Sequence, residues 1–76
     1  MGKIVPLCML QSGECGEVVD VSGAEHWVCR LAEKGLRLGC RLEMLAPGEP
    51  ALCRVEETRL SLRTAGQVEV MVRLGR

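Results

Sequence analysis

Glycine and proline cut this chain into pieces too short for a helical bundle, and that punctuation limits its fold more than any other feature. Turn residues fall at Ser12-Gly13, Ser22-Gly23, Gly35, Gly39, the Pro47-Gly48-Glu49-Pro50 loop, Gly66 and Gly75. Glycine there accepts a positive φ and proline pre-sets its own. Between the turns the pattern is mostly that of strands. Cys15 to Val21 holds Val18, Val19 and Val21, β-branched residues between two glycine turns, which suits a strand. Cys40 to Leu45 alternates apolar and charged residues until its end, so Cys40, Leu42 and Met44 should point inward. Beyond the Pro-Gly loop, Ala51 to Glu56 puts Cys53 and Val55 on one face, and Arg59 to Arg63 turns Leu60 and Leu62 inward. A turn at Thr64-Ala65-Gly66 then leads to Val68 through Arg73, with valines 68, 70 and 72 on one face.

Only the stretch from Ala24 to Lys34 changes period. Trp27 or Val28, then Leu31 with Ala32 beside it, form an apolar stripe at helical spacing. Ser22, three residues before Glu25, suggests a capping box, and Gly35 after Lys34 suits the left-handed position that ends a helix. Five short strands and one helix over about residues 24–34 imply a mainly β fold. Closing so small a sheet would hide its edges and enclose a core, and an SH3-like barrel fits the strand count. The 76 residues support a single domain, 1–76, with no linker, low-complexity tract or internal repeat to divide them.

Composition narrows the function. Ten Lys+Arg balance ten Asp+Glu, which argues against nucleic acid, where affinity comes largely from cations neutralising phosphates. Trp27 is the only aromatic, with no Phe or Tyr, so the stacking platforms of single-strand binders are missing too. Five cysteines are an odd number, which leaves at least one thiol unpaired and fits a reducing compartment better than a secreted disulfide scaffold. The longest apolar run, Ile4 to Leu10, is broken by Pro6 and is far below the ~20 residues a membrane span needs. It also makes a poor signal peptide, because the charged start is Lys3 alone and no convincing small-x-small cleavage site follows. No phosphate-binding Gly-rich loop ending in Gly-Lys-Ser/Thr is present. With one His, no Tyr and scattered Ser, little material is left for a nucleophile and base in one pocket; Ser61 and Cys29 are formal candidates, and no enzyme activity is expected.

Three elements in order then resemble the FeoA family, small proteins that accompany the bacterial ferrous iron transporter. The first is Leu7, Leu10, Gly13, Gly16, Val18, Val21 and Gly23; the second Arg30, Leu31, Glu33, Gly35, Leu36 and Gly39; the third Leu60-Ser61-Leu62-Arg63, Ala65, Val68, Val70 and Val72. The chain departs from the pattern at Leu38, where Pro is usual, at Lys34, where Met or Leu is common, and at Glu56-Glu57, which replaces a small or glycine-containing turn. The resemblance implies an SH3-like barrel with an inserted helix. It also implies an accessory protein in the cytoplasm, peripheral to the inner membrane through a FeoB-type partner that has a GTP-binding domain. Iron passage and GTP hydrolysis would belong to that partner, and no cofactor of its own is expected. A related SH3-like domain ends some iron-dependent repressors, so an orphan domain of such a repressor is the alternative, as is a cysteine-based metal-handling module. Self-association is left open by the edge strands.

Candidate site residues follow from the helix. His26, Cys29 and Glu33 lie within reach of one face and are the best metal candidates, since a thiolate, an imidazole and a carboxylate suit Zn²⁺ or Fe²⁺. No Cys-x2-Cys pair supports a metal site, and Cys40 and Cys53 read as buried apolar residues. Arg30 and Glu33 are spaced for a surface ion pair, worth about 0.2–0.5 kcal/mol. A partner-binding surface is placed at Trp27, Arg30, Glu33, Leu36 and Arg37; equally, Leu31 and Leu36 read as core. Pro47-x-x-Pro50 reads as a hairpin turn. Polyproline-binding SH3 domains line their groove with aromatic rings, so a chain with Trp27 alone should make an aliphatic and charged contact through Arg30 to Arg37.

Overall fold

Five of the strands begin and end within two residues of the segments read from sequence, and a sixth joins them at the N-terminus. The computed structural model describes residues 2–63 and 68–75. Its strands are β1 (Ile4–Pro6), β2 (Cys15–Gly23), β3 (Arg41–Ala46), β4 (Ala51–Val55), β5 (Thr58–Leu62) and β6 (Val68–Leu74), with a 3₁₀ turn at Leu7–Met9 and one helix, α1 (Glu25–Glu33). The expected turn at Thr64-Ala65-Gly66 lies outside the described residues. All strand pairs are antiparallel, in the order β1-β6-β2-β3-β4-β5.

The sixth strand corrects the five-strand expectation. Its Ile4 to Pro6 run is only three residues long, too short to show an alternation, and pairs with Arg73 to Met71 at a sheet edge. Pro6 ends it, as suits a residue with no N–H for a ladder. The turn that follows buries Leu7 and Leu10, so these two leucines anchor the N-terminus in the core.

Two bulges set the directions of the strands. In β2 the register against β6 shifts between Val18 and Asp20, so Val19 is the extra residue. Without it, Val18 and Val21 would face opposite sides; with it, Val18 is buried and Val21 packs against the same core. Beyond the bulge β2 pairs with β6 as far as Gly23, while its pairing with β3 covers only Cys15 to Glu17. Val18 instead exchanges backbone bonds with the segment before β3, accepting from the Gly39 N–H and donating to the Cys40 carbonyl. The second shift, between Met44 and Ala46 against β4, ends the alternation of β3 where the sequence also lost it.

Val18, Leu42, Met44, Ala51, Cys53, Val55, Leu60, Leu62 and the three β6 valines all enter one hydrophobic cluster, as do the non-strand leucines 7, 10, 31 and 36. A flat six-stranded sheet, about 24 Å wide at 4.8 Å per gap, could not bring the inner faces of its end strands into one cluster. The sheet therefore curls into an SH3-like arrangement. Its ladder is not closed: the hydrogen-bonded order ends at β1 and β5. The four non-strand leucines supply core that strands alone do not.

Helix α1 begins differently from the expectation. Ala24 is its N-cap, with no side-chain capping bond, because Ser22 is held in β2 opposite Glu69. The capping box is not formed. The C-terminal end matches the expectation in detail. Gly35 has φ 104°, its N–H donates to the Ala32 carbonyl and the Leu36 N–H to the Leu31 carbonyl, the pair of bonds that closes a Schellman motif. Leu31 and Leu36 are both buried, the apolar contact that accompanies such an end.

Candidate functional site

Trp27, Arg30, Leu31 and Lys34 recur at the three- and four-residue spacing that lines up one helical face, and that face of α1 forms one wall of a surface groove. The other wall is the end of β5, Ser61 and Leu62, continued by Arg63; Val68, the first residue of β6, also lines the groove. The fold brings these together because β2 runs to Gly23 against Val68 and α1 leaves directly from that end of the sheet. The groove has a volume of about 150 Å³, on the scale of one apolar side chain.

Its floor is apolar and its rim cationic. Leu31, Leu62 and Val68 are buried core residues, and Trp27 is half-buried against the same cluster. The Arg30 guanidinium lies 5.4 Å from the Trp27 ring centroid, within the range of a cation–π contact. The His26 ring sits 5.6 Å from that of Trp27. Arg30 therefore stacks on Trp27, and the ion pair expected with Glu33 is not made: among the described residues, the ion pairs are Arg54 with Glu43 and Arg73 with Glu17. Arg30, Lys34 and Arg63 are all exposed, and none has a carboxylate partner among the described residues.

The remaining candidates separate. His26, Cys29 and Glu33 are exposed, yet among the described residues no three His, Cys, Asp or Glu side chains gather as a ligand set. The three share one side of α1, but at a rise of about 1.5 Å per residue His26 and Glu33 stand about 10 Å apart along the axis, too far for one ion to be held between them. Leu36 is fully buried, so it leaves the expected contact surface and joins the core through the helix end. Arg37 and Glu33 are exposed but do not line the groove. Lys34 had stood out in the sequence only as a departure, and its place four residues after Arg30 was the available signal. Arg63 carried no local signal, since only the pairing of distant strands brings it to α1.

The family model for the FeoA domain matches residues 5–74. The chain belongs to the FeoA family. Among solved structures this FeoA-family chain is similar to an iron uptake regulatory protein (FeoA), at 28% identity over 96% of this chain and 100% of that one, with a TM-score of 0.83. It is also similar to the FeoA protein from Chlorobium tepidum, at 29% identity over 90% of this chain and 70% of that one, TM-score 0.76. A manganese-dependent transcriptional repressor shares the fold, at 24% identity and a TM-score of 0.76 over 97% of this chain and 44% of that one. No curated protein matches the chain. FeoA domains are small accessory domains of ferrous iron transport. Among the described residues, no helix is long and apolar enough to cross a membrane.

Proposed function

We propose that this chain is a cytoplasmic accessory protein of bacterial ferrous iron uptake that binds the cytoplasmic part of a FeoB-type transporter, the partner that carries the GTP-binding domain. The observation that carries this reading is the family match over residues 5–74, supported by similarity along the whole length of an iron uptake regulatory protein. Half-buried Trp27 and the exposed Arg30, Glu33 and Arg37, on α1 and the turn after it, form the contact surface. All are charged apart from Trp27, and they sit on the rigid element that the Schellman end ties to the core. The protein acts by binding and not by catalysis. The repressor alternative rests on shared fold alone, and no ligand set gathers among the described residues to support the metal-handling alternative.

Co-purification tests the proposal. Tagged chain expressed with a FeoB-type transporter from the same cell, under reducing conditions, should retain the transporter, and deleting the chain should lower Fe²⁺ uptake. Absence of both effects would sink it.

A further inference from the structure

The groove between α1 and β5 has the chemistry of a receptor for an acidic segment, and we infer that it binds an extended stretch of a partner protein in which one aliphatic side chain is flanked by Asp or Glu. The inference rests on the reading that the chain works through a protein partner. It adds what that partner must present.

Charge complementarity carries the argument. The chain as a whole is neutral, yet Arg30, Lys34 and Arg63 converge on one groove with no carboxylate partner among the described residues. Three like charges around one opening repel one another, and anions placed between them relieve that repulsion. The apolar floor of Leu31, Leu62 and Val68 and the volume of about 150 Å³ admit one aliphatic side chain. β5 ends the sheet and pairs with no second described strand, so its outer edge offers backbone donors and acceptors to an extended chain. Arg30 is already oriented by Trp27, which reduces the freedom a carboxylate must take from it.

Trp27 is the chain's only tryptophan and lies in the groove wall, so its emission reports on occupancy directly. The experiment titrates the full chain with acetyl-Glu-Asp-Leu-Glu-Asp-amide and with two controls in which the acidic residues become Gln and Asn or Lys and Arg. The acidic peptide should shift Trp27 emission saturably and bind at least about tenfold more tightly than either control at low salt, with the difference shrinking as salt rises. Lys34→Gln and Arg63→Gln should each weaken it by about fivefold, the scale of one exposed charge pair, and Lys3→Gln, at the opposite edge, should not. Equal binding of the three peptides, tighter binding of a single-stranded oligonucleotide, or Trp27 emission that responds only to the chain's own concentration, as for a second copy, would each overturn the inference. Because the peptides need no transporter, the two proposals fail separately: transporter capture that survives both substitutions ends this one alone, whereas peptide binding with neither transporter capture nor an effect on Fe²⁺ uptake ends the other alone.

Discussion

Cys53 shows how a single side chain changes character with its surroundings. In the sequence it is one thiol among five; in the fold it has no exposed surface at all, and burial pushes its thiol up to about 11. A thiol that resists ionising in the folded state but not in the unfolded one ties stability to pH. The contribution is fully present below about pH 9, the unfolded value, and is lost as pH rises from there through 11. The shift corresponds to about 2–3 kcal/mol at the alkaline limit. Urea unfolding of the native chain should therefore weaken between pH 9 and 11, and Cys53→Ala, less stable at neutral pH, should lose less stability over the same window. Cys8 and Cys29, both exposed, should react with a thiol reagent in the folded protein while Cys53 reacts only on unfolding. Trp27 and Arg30 make the complementary point: their spacing is visible in the sequence, but only the helix geometry makes Trp27, rather than Glu33, the group that Arg30 meets.

At the scale of elements, the two ends of α1 are unequal. Its N-terminus has Ala24 in an extended conformation with no capping side chain, so Ala24→Asp should add about 1 kcal/mol by accepting a bond from an unsatisfied N–H and by facing the positive end of the helix dipole. Its C-terminus is already closed. Gly35→Ala should cost about 1–2 kcal/mol, since a Cβ at φ 104° strains the backbone although it would touch only Val55 Cγ1, at 3.9 Å. Chemical denaturation of both variants with unchanged m-values checks the pair. The β4–β5 turn departs from the same rule, with Glu56 at φ 57° where a glycine would sit without strain. Five strands and the helix were legible because alternation and helical spacing are local signals. The β2 bulge was legible only in part: Val18 and Val21 are both apolar, and three residues apart they share a face only if one residue is extra.

For the molecule as a whole, the N-terminal segment matters more than its short strand suggests. Leu10 has 2% of its surface exposed and Leu7 has 3%, and both lie in the same cluster as the innermost strand residues. A domain of this size has a total stability of only about 4–11 kcal/mol. Leu10→Ala should remove about 2–4 kcal/mol of it, measurable as a lower urea midpoint. A loss below about 1 kcal/mol would show that the segment does not complete the core.

Turn residues, alternation and one helical stripe are properties of neighbours along the chain, so the sequence by itself determined the mainly β class, the positions of five strands and α1, the inward residues from Cys40 to Val72, and membership of a family whose motifs span them. The open ends of the sheet, the anchoring of Leu7 and Leu10, the loss of Leu36 from the surface and the meeting of Lys34 with Arg63 depend on which distant segments pack together. Only the tertiary structure decided these, because burial and charge proximity are set by contacts between residues far apart in sequence.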